Sequence, residues 1–364
     1  MSPQLYIYVF ITITTVLAVG TGLRYIMSSG DTLLDRSGNV LWPAVISLAL
    51  AIWLGMRPVS SVFGDTINYA YQYILMETGN VDVEYSFRSE WFWELIMRFC
   101  KDNGFSIHTV FTIVSVGYFM TAMWAVWIFM PKNPMLGMLF VLTSLMFYPF
   151  ATNGLRNGLA CHIVLLAIAF FFEDKYFWAA LLAVIAFGTH RSVILPLGGV
   201  MAARYLLTDA RFSLLIWLGA IIISLLFGET LTNWIAALGF DDRMTSYTAN
   251  KDLSLFSSDG FRWDFVLYSS VPILLGAYVL IYKQVEDRWY SALYTTYCLA
   301  NAFWVIVIRT SYTNRFAYLS WFLYPLLVAY PLVQMRVWNE QDRAVGWVLI
   351  AYSLFTAFML LIFM

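Results

Sequence analysis

Nearly unbroken apolar windows recur along the chain near 5–23, 40–56, 108–130, 134–152, 157–172, 176–189, 192–207, 212–228, 265–282, 290–308, 316–335 and 345–363. At 1.5 Å of rise per residue, a hydrocarbon layer ~30 Å thick takes about 20 helical residues, so these windows cross it or nearly do. Backbone groups in lipid must be satisfied within the segment or within a closed barrel, and no alternating apolar and polar pattern supports a barrel. The pattern therefore predicts an all-α fold, a polytopic integral membrane protein with about 12 transmembrane helices (11–13). No internal repeat and no soluble domain interrupts it, so residues 1–364 read as a single transmembrane domain.

Two connections are long and polar enough to leave the membrane, at 57–107 and 240–264. Both are rich in aromatics (Trp91, Phe92, Trp93, Phe105, Phe261, Trp263), which predicts loops lying along the interface. If spans alternate, these loops share a side with Arg156, His190, Arg191, Arg309 and Arg315. The other side receives short loops carrying Arg24, Arg36, Lys132, Lys175, Arg204, Arg211, Lys283, Arg288, Arg336 and Arg343. Basic residues in short loops set orientation, so the second side is expected in the cytoplasm and the long loops outside. The first apolar window has no basic stretch before it and no small-residue cleavage pattern after it, and it reads as a retained span.

Composition narrows the class. The chain is 61% apolar and 12% charged, with 15 Trp and 23 Tyr, too apolar for a soluble enzyme of this length. A net charge of -1 argues against nucleic acid as a partner. Cys100, Cys161 and Cys298 are scattered, which disfavours a disulfide framework or a zinc site. The chain also lacks a phosphate loop, a His-Glu-x-x-His motif and a Gly-x-Ser-x-Gly elbow, which disfavours nucleotide hydrolysis and protease chemistry. No metal site is predicted.

Charges that interrupt the apolar pattern are the candidate chemistry. The fourteen residues Tyr176–Thr189 reach roughly 21 Å as a helix, and the return run Val193–Ala203 is no longer. Residues 175–204 thus read as a helical hairpin with His190, Arg191 and Ser192 at a recessed apex, where an ionisable group suggests function. Arg156 lies in the polar stretch Thr152-Asn153-Gly154-Leu155-Arg156-Asn157 that opens another short span. Arg309 ends a span, and Arg315 opens the run toward Tyr318. A guanidinium fork matches phosphate oxygens, although an arginine at a helix end also snorkels to headgroups.

In the first long loop, Asp65, Tyr69 and Tyr73 recur every four residues and fit either a sugar-binding wall or an ordinary interfacial helix. Glu90, Glu94 and Arg98 repeat that spacing and read as a helix face with an ion pair. Arg262 and Asp264 read as mutually neutralising, His162 as core and His108 as interfacial.

Taken together, Gly64-Asp65-Thr66-x-x-Tyr69-x-x-x-Tyr73, the acidic and aromatic stretch from Glu90 to Leu95, Arg156-Asn157-x-x-Ala160, His190-Arg191-Ser192 and Asn314-Arg315-Phe316 resemble the EpsG-type branch of the Wzy oligosaccharide repeat-unit polymerases. Trp91-Phe92-Trp93 departs from the glycine usual in that family. The resemblance implies a glycosyltransferase of the bacterial cytoplasmic membrane, working on its outer face, with a GT-C-like fold as the candidate architecture. Its substrates would be undecaprenyl-diphosphate-linked oligosaccharides, with membrane lipids around it and the pathway's flippase and chain-length regulator as candidate partners. It needs no cofactor. His190 would be the catalytic base, with Asp65 as the other candidate. Arg156, Arg191, Arg309 and Arg315 would bind diphosphate, and Tyr69, Tyr73, Ser192, Asn157 and Tyr318 the sugars. Two other functions stay open: an O-antigen-ligase-like or single-step lipid-linked glycosyltransferase, and a transporter or flippase of lipid-linked oligosaccharide.

Overall fold

The computed structural model describes residues 1–28, 33, 38–77, 83–237, 260–310 and 313–363, and no strand occurs among them. The helices are α1 (Leu5–Ile26), α2 (Leu41–Gly55), α3 (Thr66–Leu75), α4 (Trp91–Asp102), α5 (Ile107–Phe129), α6 (Pro134–Leu142), α7 (Phe147–Thr152) and α8 (Leu155–Phe172). They continue as α9 (Tyr176–Thr189), α10 (Ile194–Tyr205), α11 (Ala210–Ala237), α12 (Trp263–Ala277), α13 (Arg288–Ile306), α14 (Thr313–Trp321), α15 (Tyr324–Gln334) and α16 (Gln341–Phe363).

Seven described segments are long and apolar enough to cross a membrane: Leu5–Ile26, Ile107–Phe129, Leu155–Phe172, Ala210–Gly228, Trp263–Tyr282, Thr313–Gln334 and Gln341–Ile362. The chain is a polytopic, all-helical membrane protein on that basis. Length and composition carry seven of the twelve or so expected spans. Leu41–Gly55 and Tyr176–Thr189 are shorter apolar helices, and the 134–152 window divides into α6 and α7.

Local sequence explains several boundaries. Asp287 caps α13, its carboxylate accepting from the amides of Trp289 (3.0 Å) and Tyr290 (2.9 Å), and Pro134 supplies the preset φ of a first helical turn at α6. In α4, Trp93, Met97 and Cys100 are buried on one face, while Glu94 and Arg98 pair at 2.6 Å on another. The i,i+4 pair read from the sequence is therefore present.

The chain forms two compact units, residues 1–191 with 329–364, and residues 192–328. In the first, α8 is buried almost throughout between α5 and α9, α2 lies on α5, and α1 lies on α16. A helix that is apolar all round belongs in such an interior position. The first long connection is built as a 3-10 turn (Ser61–Phe63), α3 and α4, with α4 packed on α9 and α5. In the second unit, α13 packs against α10, α11, α12 and α14. A buried polar network joins α11, α12, α13 and α14: Trp217 Nε1 donates to Asn301 Oδ1 (2.8 Å), and Asn301 Nδ2 donates to the hydroxyls of Ser269 (3.2 Å) and Ser320 (2.9 Å). Most of the second long connection, 240–259, lies outside the described residues; Phe261 and Trp263 are in tilted ring contact at 4.6 Å at its end.

Candidate active site

The site is assembled by the corner between α7 and α8. Thr152 presents its carbonyl to two donors from the first connection, the Thr66 hydroxyl (3.0 Å) and Arg57 Nη2 (3.2 Å). The Asn153 side chain accepts from the Asp65 amide at 2.8 Å. Gly64 makes this docking feasible: its φ is +55°, a left-handed conformation, and a Cβ there would fall on the Asn153 amide. The polar stretch that opens α8 therefore does two jobs, starting the helix of Arg156 and holding the Asp65 loop.

Arg57 was not singled out by its sequence, yet it is fully buried. Its guanidinium also donates to the Leu54 carbonyl (2.9 Å) and lies 4.7 Å from the Phe111 ring centre and 5.7 Å from that of Phe63. A buried cation is tolerated here because backbone carbonyls and ring faces replace water.

Glu90 is the centre of the site. It precedes α4 with non-helical dihedrals (φ -93°, ψ 60°), so its carboxylate leaves the face that carries Glu94 and Arg98. One oxygen, Oε2, is paired with Arg156 Nη1, and the other, Oε1, lies 2.5 Å from His190 Nδ1. The three side chains are only 15–18% exposed, which strengthens a charge-assisted contact over a surface one. An ionised carboxylate can only accept, so Nδ1 carries the proton and Nε2 is the basic nitrogen. Arg156 is held from its other side by Tyr69: Nε donates to the hydroxyl at 3.3 Å, and the guanidinium lies 5.5 Å from the Tyr69 ring and 5.9 Å from that of Trp93. Tyr69 and Trp93 are themselves in ring contact at 4.9 Å.

His190 is placed by the end of α9, where its amide bonds the Ala186 carbonyl at 2.9 Å before the chain turns through Arg191–Val193. Arg191 donates to the Arg88 carbonyl (3.2 Å), tying this turn to the residues just before Glu90. Gly188, two residues before His190, lets Trp91 lie directly on the helix backbone.

The structure thus brings together His190, Arg156 and Tyr69 around Glu90, while Arg191, next to His190 in sequence, is turned to the Arg88 carbonyl. Asp65 acts electrostatically on Arg156 and is half-buried. Tyr73 is directed elsewhere: its hydroxyl donates to the Phe105 carbonyl (2.7 Å) under Lys101. Asn157 is buried in α8 and accepts from the Cys161 thiol (3.2 Å). His162 is core, its Nδ1 3.0 Å from the Tyr118 carbonyl.

In the second unit, Ser192 and Tyr318 are buried and Arg315 is half-buried at the start of α14. Arg309 donates to the Ser224 carbonyl (2.6 Å) over the Phe261 ring, and Arg262 donates to both Asp264 carboxylate oxygens through Nε and Nη2 (2.9 and 2.6 Å). Among the described residues, no three His, Cys, Asp or Glu side chains gather as a metal would require.

Glu90 escaped the sequence reading because its spacing with Glu94 and Arg98 fits a continuous helix face. The available signal was its place directly before an amphipathic helix, where a side chain points off the face. A family model described as EpsG family matches residues 40–364. No curated protein matches the chain. No solved structure matches it either.

Proposed function

From the chain's membership of the EpsG family, a family of Wzy-like polymerases, we propose that it is a glycosyltransferase joining undecaprenyl-diphosphate-linked oligosaccharide repeat units on the outer face of the bacterial cytoplasmic membrane. The observation that carries this reading is the Glu90 carboxylate bridging His190 and Arg156. It sets an imidazole and a guanidinium, the groups that a base and a diphosphate ligand would need, in one sheltered cluster.

The chemistry follows from that pairing. His190 Nε2 takes the proton of an acceptor sugar hydroxyl, whose oxygen attacks the anomeric carbon of the growing glycan. The bond from that carbon to the diphosphate oxygen breaks, and its electron pair leaves with undecaprenyl diphosphate. Arg156, with Arg191, stabilises the charge that develops on this leaving group. Glu90 holds the imidazole in the tautomer that exposes Nε2 and stabilises the imidazolium, as carboxylates do beside catalytic histidines. Tyr69, whose ring lies against Arg156 and Trp93, keeps the guanidinium in place and remains a sugar candidate. Arg309 and Arg315 remain diphosphate candidates, Tyr73, Asn157, Ser192 and Tyr318 sugar candidates, and Asp65 the alternative base.

Purified protein in lipid nanodiscs, given lipid-linked repeat units, tests the proposal. A ladder of polymers is expected. A single linkage per acceptor would mark an O-antigen-ligase-like enzyme, and movement across the bilayer without bond formation would mark a flippase.

A further inference from the structure

Arg156 is already occupied. The group proposed to bind diphosphate makes its ion pair with Glu90, so an incoming diphosphate meets a carboxylate on the same fork. We infer that Glu90 is an exchangeable counter-ion, released from Arg156 by the substrate diphosphate and retained in the site by His190. This inference rests on the reading of Arg156 as a diphosphate ligand.

Three features support exchange. First, the two carboxylate oxygens have separate partners, Oε2 with Arg156 and Oε1 with His190, so loss of the first contact leaves the second intact. Second, the guanidinium is held independently by the Tyr69 hydroxyl and by the Tyr69 and Trp93 rings, so Arg156 stays in place when its anion changes. Third, the Glu90 backbone is fixed by the α4 start, its carbonyl accepting from the Glu94 amide at 3.1 Å, so the side chain alone must turn. A diphosphate carries more charge than a carboxylate and offers the fork paired oxygens, which makes it the stronger partner.

The exchange links binding to chemistry. While Glu90 is shared, Arg156 offsets part of its charge. Once diphosphate holds Arg156, the whole carboxylate charge bears on the imidazolium that forms as His190 takes the acceptor proton. Glu90 is in this sense a positioning residue whose full charge reaches the base when the donor is bound.

The test compares binding of undecaprenyl diphosphate, and of inorganic pyrophosphate, to full-length wild type and Glu90→Gln in nanodiscs. The amide keeps an acceptor for His190 and lacks the competing charge. Diphosphate should bind about 10-fold tighter, as 1.4 kcal/mol of removed competition gives, while chain extension falls about 10²-fold. A merely structural role predicts weaker binding. Unchanged or weaker binding in a folded Glu90→Gln protein overturns the exchange. Should that variant not fold, Glu90→Asp decides: its shorter reach loosens the Arg156 contact, so tighter binding supports the exchange, and equal or weaker binding overturns it. A wild type that polymerises while its variants gain no affinity sinks the exchange alone. A wild type that neither binds diphosphate nor polymerises sinks the functional reading as well.

Discussion

Glu90 and His190, one hundred residues apart in sequence, meet at 2.5 Å through Oε1 and Nδ1. The contact fixes which imidazole nitrogen is free for chemistry, and it joins the loop before α4 to the broken end of α9. The same carboxylate reaches Arg156 at the start of α8, so one acidic side chain registers three elements of the first unit.

His190→Ala removes the proposed base and leaves Arg156 in place. The protein should insert at normal levels and still bind lipid-linked repeat units, while extension falls by about 10²- to 10⁴-fold, the usual contribution of a positioned base. Cells should display single repeat units instead of long chains. Full-length polymer from the alanine variant would transfer the base role to Asp65 or to a mechanism without a base.

Arg156→Lys keeps the charge and loses the fork, and with it the simultaneous contacts to Tyr69 and Glu90. It should lose most polymerisation, as should Arg315→Lys in the second unit, if planar recognition of diphosphate matters at both. Normal polymer lengths from both lysine variants, read on a gel, would favour headgroup snorkelling for these arginines.

Arg156 and His190 were legible because each sits at the end of an apolar window too short to cross the membrane, which recesses its side chain. Glu90 was not, since Glu94 and Arg98 follow at helical spacing and only the backbone dihedrals show that it stands outside the helix. Arg57 follows an apolar window directly, as a snorkelling residue would; its burial depends on Thr152 and Phe111, far along the chain. Hydropathy also counted 134–152 as one span, because the residues between α6 and α7, Thr143-Ser144-Leu145-Met146, include no charge, glycine or proline to mark the break.

Orientation is open to a direct chemical test. Phe87 is 86% exposed and lies three residues before Glu90, so a cysteine there reports the side of the membrane on which the site opens. In a Phe87→Cys variant lacking Cys100, Cys161 and Cys298, a membrane-impermeant thiol reagent added outside the cell should label it. Labelling only after the inner face is exposed would place the site on the cytoplasmic side and remove the proposed substrate access.

Gly188→Ala tests the packing that sets Glu90 against His190, and its sign is diagnostic. Gly188 lies inside α9, where helix propensity alone favours alanine by about 1 kcal/mol. The structure predicts the opposite, because the added methyl would fall on the Trp91 indole, which directly follows Glu90. Overpacking of this kind costs roughly 1–3 kcal/mol, and the displaced indole would carry the Glu90 carboxylate away from Nδ1. The variant should therefore melt at a lower temperature and extend chains more slowly. Trp91→Ala in the same chain should recover part of the lost stability, a coupling that a double-mutant cycle reads directly. A Gly188→Ala protein that is more stable and fully active would mean that α9 and the Glu90 segment do not pack as described, and that the contact between Glu90 and His190 is not maintained by Trp91.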